Sequence, residues 1–255
     1  MTISSTGFNL EKQSTIATFD GNTLYVGGSG PGNYTKIQDA INDSSDGDTV
    51  FVYDDSSPYY ENVVVNKSIN LIGEDKVTTT IDGNDNNVVL IIADFVTISG
   101  FMIQNSGILN NGITISNSDS NTIIQNTIIN NHHGIFLDES NNNNITGNNI
   151  SNEVSSIFLD FSSDNNISCN DISNNFFGIL MFYSKNNLIE KNNFIDNKIH
   201  AIFSVWYLTK NFWDSNYWDN WIGIGVKLIF GSLGIFGAIL WFYIDWHPAS
   251  EPYDI

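Results

Sequence analysis

Residues 134–182 read GIFLDESNNNNITGNNISNEVSSIFLDFSSDNNISCNDISNNFFGILMF. The stretch repeats itself. The pairs Gly112-Ile113, Gly134-Ile135, Ser156-Ile157, Gly178-Ile179 and Ala201-Ile202 follow at intervals of 22, 22, 22 and 23. Eleven residues after the first of each pair stands Ile123, Ile145, Ile167, Ile189 or Phe212. Five further on stands Ile128, Ile150, Ile172, Phe194 or Tyr217. Helical repeats are longer and follow a 3.6-residue period, whereas these short apolar runs alternate with period 2. Three short strands in about 22 residues make one coil of a parallel β-helix. Each coil then stacks about 4.8 Å above the last.

The alternation assigns faces. Ile113, Ile115, Ile135, Leu137, Ile157, Leu159, Ile179 and Met181 point inward as stacked rows. Thr114, Phe136, Phe158, Leu180 and Phe203 point outward, and beyond them lie Ser116, Asp138, Asp160, Phe182 and Val205. Asn126, Asn148, Asn170 and Asn192 fall at the turns, where asparagine tolerates left-handed backbone. Stacked amides can also hydrogen-bond along the column as a ladder.

Outside the repeats, TVFVY (49–53), NVVVNKSINLIG (62–73), TTTIDG (78–83) and VVLIIADFVTISGFMIQ (88–104) read as earlier, less regular coils. In YTKIQDAINDSSDGD (34–48), Ile37, Ala40 and Ile41 share a helical face, which predicts a short helix capping the N-terminal end. The expected fold is therefore an all-β parallel β-helix of about seven coils. Residues 1–22 are read as a disordered or extended segment, 23–220 as the β-helix, and 221–255 as an apolar C-terminal cap and tail.

Composition narrows the functions. The chain of 255 residues carries 9 basic groups, all lysine, against 28 acidic ones, a net charge of −19. Nucleic-acid binding needs clustered Lys and Arg, which nine scattered lysines do not supply. The 38 asparagines and 36 isoleucines far exceed ordinary usage, and both have places in the repeat. The single cysteine, Cys169, allows no intrachain disulfide. The start, MTISSTGFNLEKQSTIATFD (1–20), has neither the basic nor the apolar region of a secretory signal.

The run YTKIQDAINDSSDGDTVFVYDDSSPYYENVVVNKSINLIGEDKVTTTIDG, followed by repeats of the GIFLDESNNNNITGNNISN kind, resembles the NosD-like proteins with β-helix repeats. These belong to the pectin-lyase-like superfamily. NFWDSNYWDNW and the ending DWHPASEPYDI resemble archaeal surface members, and the resemblance covers roughly 23–255. It implies a right-handed helix, an extracellular or cell-surface location, and carbohydrate binding or hydrolysis. Fold alone does not fix which.

Candidate chemistry is sparse. Asp138 and Asp160 occupy one position in adjacent coils. They are the candidates for a calcium site or an acid/base pair at the short spacing of retaining glycosidases. The bland alternative, two solvated aspartates, is preferred, because Ser116 and Phe182 continue the row. Without arginine, a lyase with an arginine base is excluded. His132-His133-Gly134 resembles part of the polygalacturonase signature, without its aspartates. The NosD resemblance implies copper, with His132, His133, His200, His247, Met102, Met181 and Cys169 as ligand types present. His133 and His200, read as equivalent positions three coils apart, are too distant to share an ion. Acceptor sequons for N-glycosylation occur at Asn33, Asn42, Asn66, Asn144, Asn149 and Asn166.

Residues 228–244, LIFGSLGIFGAILWFYI, hold no charge and approach the length of a membrane span. Glycines 231, 234 and 237 interrupt them, and acidic residues follow. A cap is thus preferred over a span. The outward stripe Phe136, Phe158, Leu180 and Phe203 is apolar enough to mark a contact surface. The expectation is that 206–245 folds back over it; otherwise the stripe is a binding surface for sugar rings. The leading function is a non-catalytic surface or secreted β-helix protein, structural or glycan-binding. A carbohydrate-active enzyme using Asp138 and Asp160, and a copper-handling accessory protein, are the alternatives. A cleft around both aspartates would favour the first alternative, and converging histidines and Met181 the second.

Overall fold

The computed structural model describes residues 21–205, 207–234 and 239–255, so most of the N-terminal segment lies outside the described residues. The described residues form a right-handed parallel β-helix of about nine turns with one short helix. Three columns of strands stack along it. The first runs from Thr23–Val26 through Asn144–Thr146 to Phe212–Asp214. The second runs from Tyr59–Tyr60 to Tyr217–Trp218. The third runs from Val63–Val65 through His133–Asp138 and Ser155–Asp160 to Lys227–Leu233.

The predicted inward rows are present. Ile113, Ile135, Ile157 and Ile179 pair in register, as do Ile115, Leu137, Leu159 and Met181, and all eight are fully buried. The coil count exceeds the expected seven because the early coils vary in length. Val50, Leu71, Ile98 and Ile123 stack directly although they lie 21, 27 and 25 residues apart. The helix Ile37–Asp43 covers the N-terminal end with Ile37, Ala40 and Ile41. The Glu61 carboxylate accepts hydrogen bonds from the first two amides, Ile37 N at 2.8 Å and Gln38 N at 3.0 Å. A negative group at a helix N-terminus satisfies amides that lack intrahelical partners.

Asn126, Asn148, Asn170 and Asn192 do stack at the turns, but their own backbone is not left-handed. The residue before each takes that conformation: Gln125 (φ 54°), Gly147 (66°), Cys169 (54°) and Lys191 (54°). The asparagine then turns its amide inward. Asn148 Nδ2 donates to Ile123 O at 2.9 Å and to Asn170 Oδ1 at 3.0 Å, while its Oδ1 accepts from Asn126 N at 3.0 Å. Two further asparagine columns and a serine column, Ser118, Ser140, Ser162 and Ser184, repeat the scheme at other corners. Buried backbone groups exposed by each turn are thereby paired.

The last coil departs from expectation by one residue. Ile179 pairs with Ala201, Leu180 with Ile202 and Met181 with Phe203. Phe203 is therefore in the core, and Ile202 holds the outward position. Val205 is likewise buried, and Ser204 follows Phe182. The Ala201-Ile202 pair imitates the Gly-Ile motif one residue late, and with a period of 2 that slip reverses every face. His133 consequently lines up with Ser155, Phe177 and Ile199, not with His200.

The C-terminal run does not lie over the outward stripe. Its strands Lys227–Leu233 and Ile239–Asp245 form an antiparallel hairpin. The first strand pairs with Ile199–Val205, and the second touches Phe212–Asp214. The hairpin thus continues the stack and closes its C-terminal end, with Ile229 and Tyr243 turned inward and Tyr243 4.1 Å from the Phe203 ring. No helix among the described residues is long and apolar enough to cross a membrane.

Candidate functional site

The third column has six-residue strands in its middle coils, longer than their neighbours, and they present a broad outer face. Parallel in-register pairing places like positions in a line. The outward rings follow the same rule. Phe136 and Phe158 stack at 4.9 Å and 30°, and Phe182 meets Phe158 edge-on at 5.4 Å. His133 packs against Phe158 at 5.2 Å, and His132 against His133 at 4.2 Å. A ring strip thus crosses three coils, with Leu180 and Ile202 continuing the outward row. Phe136, Phe158 and Leu180 are half-buried.

Polar groups border the strip at both ends. At one end, Asp138 and Asp160 are direct register partners, as their spacing predicts, flanked by Ser116 and Phe182. Burial pushes the Asp160 carboxyl above the usual carboxylate range, and the Asp138 charge adds to the rise. At the other end, burial lowers His133 to about 4, helped by His132, so its ring is neutral at pH 7. His133 Nδ1, the paired Ser155 Oγ and Asp160 Oδ1 are buried and meet no hydrogen-bonding partner among the described residues.

One residue near this end escaped the sequence reading. Glu153 bonds Asn131, the residue before His132, in a column with Asn175 and Asn197. Burial raises its carboxyl to about 8. The signal was available, because 131, 153, 175 and 197 share the period of 22.

The residues do not fit a copper centre. Apart from the His132–His133 pair, the candidate donors are dispersed. His200 Nε2 is bonded to Asp219 Oδ1 at 2.5 Å, and His247 Nδ1 to Asp214 Oδ1 at 2.6 Å. Met181 is in the core, and Met102 and Cys169 sit on other coils. Among the described residues no three His, Cys, Asp or Glu side chains are placed to hold a metal ion. Asp138 and Asp160 therefore offer calcium two side chains alone.

These features define a right-handed parallel β-helix protein with an aromatic strip on its longest sheet. The family model for the periplasmic copper-binding protein NosD matches residues 16–223, and the chain belongs to that family. A cell surface glycoprotein of Methanothermus fervidus is 35% identical over 97 residues, which is 38% of this chain and 16% of the glycoprotein. Among solved structures, carrot pectin methylesterase is similar at 12% identity, with 82% of this chain and 80% of that one covered and a TM-score of 0.47. The Dettilon tailspike protein is similar at 12% identity, with 77% and 50% covered and a TM-score of 0.48.

Proposed function

We propose that this chain is a surface-exposed, non-catalytic β-helix protein that holds glycan against the strip of Phe136, Phe158, Leu180 and Phe182. The ring strip carries the reading. Phe136, Phe158 and Phe182 repeat at near 5 Å, half-buried and stacked on one another along the outer face of the longest sheet. Sugar rings have apolar faces that pack on aromatic side chains, and the bordering carboxylates supply acceptors for their hydroxyls. The partial match to a cell surface glycoprotein supports the location, as does the periplasmic setting named for the family. The acidic chain favours neutral over anionic sugars, since a charge of −19 repels the latter.

A glycan array probed with the purified chain tests this, with and without calcium. Binding to neutral glycans is expected, and Phe158→Ala is expected to weaken it about tenfold with little change in unfolding midpoint. An array without a hit, or one unaffected by Phe158→Ala, overturns the assignment.

The carboxyl pair supports a second reading. A raised Asp160 beside Asp138 resembles the unequal pair that general acid catalysis requires. Turnover of polygalacturonate or a neutral β-glycan that vanishes in Asp138→Asn or Asp160→Asn would establish it; the binding reading predicts none.

A further inference from the structure

Along the C-terminal hairpin, polarity changes in order. Its register pairs Lys227 with Asp245 at the base, Ile229 with Tyr243 and Phe230 with Phe242 midway, and Leu233 with Ile239 toward the tip. Charge thus stands at the base, followed by the aliphatic pair Leu228 and Ile244, rings cluster in the middle, and Leu233, Ile239 and Leu240 lie beyond with Ser232 as the one hydroxyl among them. No charged residue occurs from 228 to 244. On the outer face Phe230 is 63% exposed and Leu240 88%. The loop after the preceding strand adds Tyr207 and Leu208, both exposed, beside the same part of the hairpin, where Gly234 N bonds Val205 O.

We propose that this hairpin seats the protein on an uncharged lipid surface, with its aliphatic part in the acyl boundary and its rings among the headgroups. Three features favour lipid as the occupant. The sequence of charge, rings and aliphatics reproduces the polarity profile of a membrane interface. The backbone is paired along all seven register positions, and Gly231–Leu233 pair with Phe203–Val205 on the other side. A lipid setting demands such internal pairing, and the outer edge of residues 239–244, whose strand among the described residues pairs onward only through Asp245, confines insertion to the interface, where headgroups and water reach it. Strands of seven residues extend about 23 Å, enough for the outer part to enter the roughly 5–10 Å used by interfacial elements. The net charge of −19 directs the choice to zwitterionic lipid. This inference rests on the proposed surface location and is independent of glycan binding.

Flotation of the full chain with phosphatidylcholine vesicles is the test. The chain is expected to rise with the vesicles, and brominated lipid is expected to quench tryptophan emission through Trp241, which lies among the rings of the hairpin. Leu240→Asp should reduce partitioning about tenfold or more while leaving the unfolding midpoint unchanged, because the side chain is exposed. Phe158→Ala should float as the parent does, which separates this result from loss of the glycan strip. A chain that stays at the bottom of the gradient and is not quenched overturns the proposal. So does a dimer that Leu240→Asp dissolves without any effect of lipid, which would assign the face to a second copy.

Discussion

Three asparagine columns run along the stack of described residues, and two of them include one carboxylate each. In the first, Asn126, Asn148, Asn170, Asn192 and Asn216 pass hydrogen bonds from coil to coil and end on Asp245. In the second, Asn131, Glu153, Asn175 and Asn197 do the same, with the carboxyl inside the column. Position decides how well each acid fits. Every interior amide accepts from the coil before it and donates to the coil after it. The final group needs only to accept. Asp245 accepts from Ser215 N, Asn216 N, Asn216 Nδ2 and Trp218 Nε1 at 3.0–3.1 Å, and no next coil asks it for a proton. Glu153 accepts from Asn131 N at 2.5 Å and Asn131 Nδ2 at 3.1 Å. Only its backbone amide reaches Asn175 Oδ1, and an ionised side chain has nothing to donate. The two Asn131 donors favour the charged form, but burial outweighs them and holds the acid protonated.

The largest effect is expected in the intact column. Asn170 Nδ2 serves Ile145 O, Ser168 O and Asn192 Oδ1, and its Oδ1 serves two donors of Asn148. Asn170→Ala strands all of these in a fully buried site. A loss of about 3–5 kcal/mol is expected in urea unfolding. A cost below about 1 kcal/mol would mean that the ladder decorates the fold without holding it.

The interrupted column has the next largest effect, of opposite sign. With Glu153 raised from 4.5 to about 8, the folded chain keeps a proton that the unfolded chain releases. Stability should be full below pH 4.5, fall as pH rises from there to about 8, and level off above. Glu153→Gln restores a donor without a charge and should remove that slope. Between pH 5 and 7.5 it should gain about 3 kcal/mol relative to the parent. Parallel pH profiles for the two proteins would show that Glu153 is solvated and the columns equivalent.

These differences mark what could be read in the sequence. A constant period of 22 and alternation of period 2 placed Ile135, Leu137, Ile157 and Leu159 inside and Phe136, Phe158, Asp138 and Asp160 outside, as observed. Regularity was the information, so the reading failed where regularity lapsed. Early coils of unequal length hid two turns. After Val205 the chain takes a longer loop, so Trp213 rather than Phe212 stacks on Ile189. Phe203 was assigned to the wrong face for another reason: the chain keeps its period of 22, and the Ala201-Ile202 pair only imitates the motif one residue late. At other corners the left-handed residue is mostly asparagine or aspartate, as at Asn130, Asn152, Asn174 and Asp196, but in the Asn126–Asn192 column it varies from Gln125 to Lys191 and leaves no signal. The ring strip was legible as a row, but its closing by His133 and Phe182 depends on rotamers that spacing does not specify. The hairpin at 227–245 defeats the periodicity altogether, because it turns antiparallel.

The smallest effect belongs to the serine corner, which carries the same function with less chemistry. Ser162 Oγ accepts from Ser140 N at 3.0 Å and donates to Asp160 O at 2.8 Å. A hydroxyl has one proton to give, where an amide has two. Ser162→Ala strands one buried amide and one carbonyl with a second partner in the sheet, and leaves a void of a single oxygen. The expected cost is about 1–2 kcal/mol, well below that of Asn170→Ala. Its position ties it to the ring strip, since Asp160 lies two residues before it on the outer face. If hydrogen bonds per coil set the rigidity of each corner, Ser162→Ala should leave Phe158-dependent glycan binding unchanged while lowering the unfolding midpoint slightly. A cost equal to that of Asn170→Ala would show that stacking geometry, rather than the number of protons each side chain can donate, governs the corners.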